Sequence, residues 1–314
     1  MVKRFYAVCR RRPAAVLFRK LTLFLLPTVT EMDLRTQLKE GAARINTAIE
    51  DDLRLLAADH EPLLVEVLRY GLLGGGKRVR PFLVVNAAEL CGRTGPECEK
   101  LAIAFEYLHA ATLFHDDIID NSALRRGKAA IHQKFGVVAA ILAGDFLLAH
   151  SMEIVGEYTG RRGLLSFHLA TKGMVDGEFE QLRRTDTTSV DIEAYDRTVM
   201  RKTGLLIDST GKRTGNDLHE GKMTLPLLCA LECAEVRERL LEVVADPGIR
   251  RRAESLVEVR ALITRGGGFT AARREAEEAM QRGIDALALF AAPEAAAARD
   301  RLAALGRFVL ERER

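Results

Sequence analysis

The sequence predicts an all-α fold in a single domain, and three observations lead to this prediction. After the first 31 residues, apolar side chains recur at helical spacing, as at Ile45, Ile49, Leu53 and Leu56. The breaks between such stretches are short and rich in glycine or proline, as in the glycine triplet at residues 74–76. The alternation typical of strands is nowhere sustained in the sequence, and no low-complexity linker divides it. Helices around one shared apolar core are the simplest architecture for this pattern.

Apolar periodicity and breaker residues together delimit the predicted helices. In chain order they are Leu34–Asp59, Glu61–Leu73, Pro81–Leu90, Glu97–Asp120, Ala129–Tyr158, Leu164–Leu182, Ile192–Asp208, Leu225–Val244, Arg250–Thr264, Ala271–Phe290 and Pro293–Glu313. The glycine triplet ends the second helix, and a Gly- and Pro-containing cluster at residues 91–96 separates the third from the fourth. Glycines 266–268 and Pro293 separate the last three.

The composition argues against nucleic acid as a partner. The net charge is only +3, so the chain offers no large positive field to a phosphate backbone. Tryptophan is absent and aromatic residues make up 6% of the chain, which leaves few surfaces for base stacking. The five cysteines form no C-x-x-C or zinc-ligand pattern, which is typical of a reduced compartment. We therefore expect a cytoplasmic protein.

Residues 1–31 differ from the rest of the chain and form a basic N-terminal extension. The first 30 residues contain seven Lys or Arg and no Asp or Glu. One interpretation is a mitochondrial-type presequence, which would change the expected location. The other is a misassigned start, with translation beginning at Met32. Either way, we expect the folded domain to comprise residues 32–314.

An acidic cluster at the end of one predicted helix is the strongest chemical signal. Asp116 and Asp120 lie four residues apart, so on a helix their carboxylates share one face, and Asp117 lies beside them. The cluster follows an apolar run that should be buried, and buried carboxylates need a compensating cation. A hard divalent ion such as Mg²⁺ suits these oxygen ligands. The plain alternative is a solvated acidic helix end.

Two basic stretches favour the first interpretation over the second. Arg125, Arg126 and Lys128 follow the aspartates, and guanidinium groups bind phosphate oxygens in pairs. Lys77 and Arg80 follow the glycine triplet, where the backbone can approach an anion closely. The triplet lacks a preceding strand and a following GK[ST], so it is not a P-loop. Together these patterns predict a site for a metal ion and phosphate groups.

The order and spacing of seven motifs resemble those of the trans-isoprenyl (polyprenyl) diphosphate synthases. The motifs are G-G-K-R-V-R-P at 75–81, the run 108–115 that leads into D-D-I-I-D, R-R-G-K at 125–128, G-D at 144–145, G-E-F-E-Q at 177–181, K-T-G at 202–204 and G-N-D-L-H-E-G-K-M-T-L-P at 215–226. The resemblance implies a helical bundle around a central cavity and a prenyltransferase. Such an enzyme condenses isopentenyl diphosphate with an allylic diphosphate into an all-trans polyprenyl diphosphate.

The resemblance also implies a role for each matching residue. Isopentenyl diphosphate would be bound by Lys77, Arg80, His109 and Arg126. Mg²⁺ would be held by Asp116 and Asp120 with Asp117 beside them, as catalytic residues together with Arg125. The allylic diphosphate would be bound by Arg125, Lys202, Thr203, Lys212 and Lys222, with Gln181 lining the same cavity.

Product length in this family depends on the helix that precedes the aspartates. Ala111 and Thr112 are small residues one turn before Asp116, and Leu108 lies one turn deeper. Small residues there permit a long product, such as that of octaprenyl diphosphate synthases. The resemblance further implies a homodimer or heteromer, and peripheral membrane contact through the apolar product.

The chain departs from the family pattern near residues 208–212, where a second D-D-x-x-D motif should precede the loop. Asp208 is the only acid between Lys202 and Lys212. Roughly two helices of about 11–12 residues are missing there. Three explanations remain open. The gene model has lost a segment, the chain is a non-catalytic, diphosphate-binding or regulatory subunit of a heteromeric synthase, or it is a minimal enzyme with one aspartate motif.

Overall fold

The computed structural model describes residues 31–184, 223–250 and 252–311, and within these ranges the predicted all-α architecture is confirmed. The helices are α1 Glu31–Asp59, α2 Pro62–Leu72, α3 Val79–Leu90, α4 Pro96–Ile119, α5 Ile131–Phe135, α6 Val137–Arg184, α7 Leu225–Leu231, α8 Ala234–Ala245, α9 Pro247–Arg250, α10 Ala253–Arg265, α11 Gly268–Leu287 and α12 Ala296–Glu311, with a 3₁₀ turn at Pro293–Ala295. The predicted helix Ile192–Asp208 lies outside the described residues.

Helix α4 is the central element of the larger core. It packs most extensively against α6, and also against α1 and α3. Its inward positions Ile103, Tyr107 and Phe114 are buried beside Leu53 of α1 and Leu147 of α6. Large apolar side chains from several helices therefore hold α4 rigidly, and the acidic end of this helix inherits that rigidity.

A small β-hairpin follows α4, which the sequence did not predict. Strand β1, Leu124–Arg125, pairs antiparallel with β2, Lys128–Ala129. Arg126 and Gly127 connect them, and both have positive φ, at 52° and 76°, as a type I′ turn requires. The Tyr70 hydroxyl of α2 donates a hydrogen bond to the Ala129 carbonyl at 2.8 Å, which ties the hairpin to the bundle.

Helix α6 is longer than predicted and is interrupted by a kink. The prediction separated Ala129–Tyr158 from Leu164–Leu182, whereas Val137–Arg184 continues through Gly160, whose φ of 60° breaks the helical geometry. Gly136, with φ of 89°, separates α5 from α6. By length and composition α6 is the one described helix that could cross a membrane. One side of it nevertheless packs into the core through residues such as Leu147 and Phe167.

The C-terminal helices form a second, smaller core and return to the first one. Leu231, Val236 and Leu240 are fully buried between α7, α8 and α10. The predicted helix Leu225–Val244 is split, because the chain turns at residues 232–233 before α8 begins. Helix α12 packs against α3 and α1, so the end of the described chain supports the helix that follows the glycine triplet.

Candidate active site

The aspartates lie in the last turn of α4, and this turn ends in a defined cap. The Asp120 amide donates to the Asp116 carbonyl at 2.8 Å, so the helical turn that joins the two residues is complete. Asn121 follows with φ of 48°, and its amide and that of Ser122 bond back to α4. This is a Schellman motif, with asparagine in the left-handed position that glycine more often occupies. The helix therefore stops directly after Asp120.

Asp117 is more deeply buried than Asp116 and Asp120, and it pairs with the hairpin. Arg125 Nε donates to Oδ1 and Oδ2 of Asp117 at 3.0 and 3.1 Å, and the Arg125 Nη2 group also bonds Oδ1. Asp117 is buried, with 4% of its surface exposed. The sequence prediction treated Asp117 as a neighbouring metal ligand and Arg125 as a diphosphate ligand. Here the two charges satisfy each other and fix the hairpin to α4.

A cluster of basic side chains surrounds His109 of α4, about two turns before Asp116. His109 and Arg80 are buried, with 6% and 7% of their surfaces exposed. Burial, together with the positive charges of Arg80, Arg126 and Arg125, lowers the pKa of His109 well below its usual value. Burial and the charges of neighbouring arginines also lower the pKa of Arg126, although Glu106 opposes this. Such an excess of positive charge is typical of an anion site.

A cavity of about 50 Å³ opens between α2, α4 and the hairpin. The polar side chains that line it are those of Tyr70, Arg78, Glu106, His109, Asp117, Arg125, Arg126 and Lys128. Its acidic groups are both engaged, since Glu106 bonds Arg78 and Asp117 bonds Arg125. The remaining field in the cavity is therefore positive.

Two glycines of the quoted motifs are explained by close approaches to this site. A Cβ on Gly76, whose φ is 145°, would lie 2.8 Å from Nη1 of Arg126. A Cβ on Gly144 would lie 2.3 Å from Nε2 of His115, which donates a hydrogen bond to the Ile141 carbonyl at 3.2 Å. Side chains at these positions would displace the arginine and the histidine.

The structure brings part of the predicted site together. His109, Asp117, Arg125 and Arg126 line the cavity, and Arg80 lies close enough to His109 for its charge to lower the pKa of that residue. Lys77 is exposed on the loop before α3, and Asp116 and Asp120 are half-buried at the end of α4. Among the described residues, no three His, Cys, Asp or Glu side chains converge as a metal-binding group.

The remaining predicted residues are the three proposed to set product length and five proposed to bind the allylic diphosphate or line its cavity. Leu108 and Ala111 are buried in the main core, and Thr112 is half-buried, with its hydroxyl donating to the His109 carbonyl at 2.8 Å. Gln181 lies in the last turns of α6, and its side chain lies outside the described part of the structure. Four predicted diphosphate ligands are outside the described residues altogether: Lys202, Thr203, Lys212 and Lys222.

Two charged residues that line the cavity were missed from the sequence: Arg78 and Glu106. Arg78 stands between two predicted ligands, and nothing in the local pattern distinguishes an inward from an outward arginine. Glu106 offered a signal, because a single acid within the apolar run of α4 must be paired if it is buried.

Comparison with known proteins agrees with this geometry. The family model described as "Polyprenyl synthetase" matches residues 61–209. The octaprenyl diphosphate synthase of Haemophilus influenzae is 29% identical over 273 residues, which cover 72% of this chain and 82% of that one. A putative geranylgeranyl pyrophosphate synthase of Arabidopsis thaliana is 30% identical over 269 residues, covering 66% of this chain and 74% of that one. The chain belongs to the polyprenyl synthetase family.

Solved structures of polyprenyl synthases have the same all-helical fold. The decaprenyl diphosphate synthase of Rhodobacter capsulatus superimposes with a TM-score of 0.77 at 26% identity, covering 90% of this chain and 98% of that one. A polyprenyl synthase from Caulobacter crescentus, complexed with calcium and isoprenyl diphosphate, has a TM-score of 0.75 at 27% identity, covering 90% and 97%. The predicted prenyltransferase family and its helical bundle are therefore confirmed.

Proposed function

We propose that this prenyltransferase makes a long-chain all-trans polyprenyl diphosphate, and that it does so on the face of α4 described above. The observation that carries the site assignment is the cation cluster of Arg80 and Arg126 around the buried, neutral His109, which lies about two turns before Asp116 on α4. The cation cluster suits a diphosphate that is bound directly by positively charged side chains. The aspartates suit a diphosphate that is bound through metal ions.

Isopentenyl diphosphate is assigned to the cation cluster. Arg80 and Arg126 supply guanidinium groups, and Lys77 lies on the exposed loop that precedes α3. His109 remains neutral because its pKa is lowered, so it donates one N–H to a phosphate oxygen without adding to the repulsion among the arginines. A bound diphosphate would relieve that repulsion, which is a favourable contribution to its affinity.

The end of α4 fits the magnesium ions that this family's chemistry requires. Mg²⁺ keeps several waters and is usually held by one or two carboxylates together with substrate phosphates, so Asp116 and Asp120 form a sufficient donor set. Asp117, which pairs with Arg125, is left out of this assignment. Bound Mg²⁺ would stabilise the charge of the departing diphosphate. The calcium ion named for the Caulobacter crescentus complex supports a divalent cation in this architecture.

The reaction needs positioning and charge stabilisation rather than a side-chain nucleophile. The C–O bond of the allylic diphosphate breaks, and its electrons leave with the diphosphate. The double bond of isopentenyl diphosphate then attacks the allylic carbocation and forms the new C–C bond. The departed diphosphate accepts the proton that the resulting carbocation loses. The helix walls around the cavity exclude water, which would otherwise capture the carbocation.

A long product is favoured by the small side chains of α4 next to Asp116. Thr112 lies one turn before Asp116 and Leu108 two turns before it, and both are smaller than the aromatic Phe105 deeper along the helix. Phe105 meets Phe167 of α6 edge to face, with ring centroids 5.3 Å apart. The printed names of relatives, octaprenyl, nonaprenyl and decaprenyl diphosphate synthases, support the same product class.

Product length tests this assignment directly. Thr112→Phe would place a ring one turn from Asp116 and block the growing chain, so we expect shorter products, read by chromatography of the dephosphorylated prenyl alcohols. Ala279→Phe, at an exposed position of α11, is the control and should leave the distribution unchanged. An unchanged distribution in Thr112→Phe would place the elongation path elsewhere.

A missing segment near residues 208–212 is also proposed. The alignment with the Haemophilus influenzae enzyme runs over 273 residues but uses 72% of this 314-residue chain, about 226 residues, so about 47 positions have no residue here. The family model ends its match at residue 209, which supports the same location. The second aspartate motif would fall within that segment.

The outer face of α6 is the proposed contact with a second copy of the chain. Val138 and Leu142 are 71% and 60% exposed before the kink, and Leu165 and Leu169 are 50% and 57% exposed after it. Apolar side chains in this density on one helix usually mark an interaction surface. A homodimer is the proposed assembly and a heteromer the alternative. Sedimentation of the purified chain distinguishes a dimer from a monomer.

We place the protein in the cytoplasm, with peripheral membrane contact arising only through its apolar product. The alternative is mitochondrial, if residues 1–31 are a genuine presequence. A fluorescent fusion of the full chain, compared with one that begins at Met32, separates the two locations.

Product formation by the purified chain is the experiment that tests the proposed function. With Mg²⁺, labelled isopentenyl diphosphate and farnesyl diphosphate, we expect labelled long-chain product. Asp116→Ala should lower the rate by about 10²–10³-fold, because it removes charge stabilisation at the departing group. Asp285→Ala, at an exposed position of α11, is the control. No product from a folded chain would favour the non-catalytic, diphosphate-binding subunit instead.

A further inference from the structure

Arg78 lies between two residues assigned to isopentenyl diphosphate, yet its side chain is buried in the wall of the cavity. Lys77 is exposed, whereas the side chain of Arg78 is 2% exposed. A buried guanidinium is costly unless every donor direction is satisfied. Its contacts therefore indicate what it is for.

One guanidinium group connects three helices to the loop. Nη1 of Arg78 bonds Oε1 of Glu106 on α4 at 2.6 Å, and Nε bonds Oδ1 of Asn46 on α1 at 3.0 Å. Nη2 donates to the carbonyl of Leu72, the last residue of α2, at 2.5 Å. Only the planar fork of an arginine can make bonds in these three directions at once.

The backbone of Arg78 is as unusual as its side chain. Its φ of 49° and ψ of 38° place it in the left-handed region, and it is the cap residue from which α3 begins. Within the described residues the only other non-glycine positions with positive φ are Asn121 and Arg126, which both border the same site. Left-handed conformations of ordinary residues persist where surrounding contacts enforce them, and they cluster at functional sites.

We propose that Arg78 is a positioning residue for isopentenyl diphosphate. Its ion pair with Glu106 fastens the end of the loop that carries Lys77, and the first turn of α3 that carries Arg80, to α4, the helix that carries His109 and the aspartates. The pair thereby sets the separation between the two diphosphate sites, and Arg78 itself does not contact substrate. The inference rests on the proposed assignment of Lys77 and Arg80 to isopentenyl diphosphate.

The experiment measures two dissociation constants by titration calorimetry with Mg²⁺ present, one for isopentenyl diphosphate and one for farnesyl diphosphate. Binding is chosen because it can be read even if the chain is inactive alone. For Arg78→Lys and Glu106→Gln we expect the Kd for isopentenyl diphosphate to rise about tenfold, a change of about 1.4 kcal/mol. The Kd for farnesyl diphosphate should change less than about twofold.

A double variant separates positioning from stability. Arg78→Met with Glu106→Leu removes both buried charges, so it should be more stable than Glu106→Gln. If positioning is the role, the raised Kd for isopentenyl diphosphate persists in the double variant. If Arg78 serves stability alone, that Kd returns toward the wild-type value as stability returns, and the inference is overturned.

A direct ligand role gives a different pattern and would also overturn the inference. Glu106→Gln keeps Arg78, so a direct ligand would bind isopentenyl diphosphate as well as before. Asn46→Ala is a milder second variant for use if Glu106→Gln does not fold. It removes one bond of the same guanidinium, and a rise of about two- to threefold in the Kd for isopentenyl diphosphate is expected from a loss of about 0.5 kcal/mol. An unchanged Kd for this variant counts against positioning.

Two further variants keep this inference distinct from the proposed function. Arg80→Ala tests the assigned ligand itself, and an unchanged Kd for isopentenyl diphosphate would refute the site assignment. A raised Kd in Arg80→Ala with no change in the Arg78 and Glu106 variants would refute only the positioning role. Arg239→Lys, at an exposed ion pair of α8, is the matched control.

Discussion

Helix α4 has two buried polar faces with opposite electrostatics. On one face the burial of His109 and the charges of Arg80, Arg126 and Arg125 lower the pKa of that histidine. On the other face Tyr107 meets Asp52 of α1 and His150 of α6.

The second face is a closed network of hydrogen bonds. The Tyr107 hydroxyl donates to Oδ2 of Asp52 at 2.7 Å, and Nε2 of His150 donates to the same oxygen at 3.0 Å. Nδ1 of His150 lies 3.1 Å from Oε2 of Glu153, and the ring stacks on Tyr107. Burial lowers the pKa of His150, but the hydrogen bonds and charges of Asp52 and Glu153 together raise it. Burial and the charge of Asp52 raise the pKa of Tyr107.

The difference shows which face serves binding and which serves stability. The carboxylates around His150 balance its charge, so this network is complete and joins three helices. The cations around His109 outnumber the nearby carboxylates, so that face is complete only when an anion binds. A buried polar cluster is thus informative about function when its charges do not cancel.

The largest predicted effect is on the cationic face. Glu106→Gln leaves the buried Arg78 charge uncompensated, which should lower the free energy of unfolding by about 3–5 kcal/mol, measured by urea denaturation. The control is Glu258→Gln in the exposed pair with Arg239, where the change should stay below about 0.5 kcal/mol. Equal losses in the two variants would mean that burial does not distinguish them.

The balanced face should show a smaller loss. Asp52→Asn keeps an oxygen for the Tyr107 hydroxyl but removes the charge that pairs with His150, and we expect a loss of about 1.5–3 kcal/mol. The adjacent Asp51 is an unusually close control, because it is exposed and pairs with Arg54. Asp51→Asn should change the free energy of unfolding by less than about 0.5 kcal/mol in the same urea experiment. A neutral Asp52→Asn would show that the network contributes nothing net.

The smallest effect is the pH dependence of each histidine, and the two have opposite signs. His150 has a raised pKa in the folded state, so the stability it contributes is full below about pH 6.5 and is lost as pH rises through the folded pKa. His109 has a lowered pKa, so stability falls as pH drops below about 6.5, where the unfolded chain takes up the proton.

Imidazole titration by NMR checks both assignments in one sample. The His150 resonance should titrate above about pH 6.5 and the His109 resonance well below it. In Asp52→Asn the His150 midpoint should fall while that of His109 stays in place. Coincident midpoints in the wild-type protein would remove the contrast between the two faces.

Much of the fold followed from periodicity, because amphipathic helices with glycine and proline breaks leave a clear pattern. The failures have local causes. The kink at Gly160 lies within an apolar stretch, and neither the glycine nor the local composition indicates whether the helix ends there or continues beyond it. The hairpin was missed because strands of two residues are too short to show alternation. Gly127 was the one local signal, because glycine readily adopts the positive φ that the turn needs.

The sequence predicted which types of residue form the site, but it did not predict which of them contact one another. The acidic and basic motifs indicated a metal and phosphate site, but pairing Asp117 with Arg125 needs the hairpin to fold back on α4. Nothing in the alternation of Lys77, Arg78 and Arg80 shows that the middle cation turns inward. The contact between Asp52 and His150 joins residues 98 positions apart, which no local pattern can reveal.

The cap that stops α4 at Asp120 has an electrostatic consequence of its own. The peptide dipoles of a helix place a partial negative charge of about half an electron at its C-terminus, and here that end of α4 lies beside two carboxylates. The packing of α4 and its cap hold this terminus against its own macrodipole, so a divalent cation bound there should raise the free energy of unfolding. By linkage, the free energy by which Mg²⁺ stabilises the folded chain equals the free energy by which Mg²⁺ binds the folded chain more favourably than the unfolded chain.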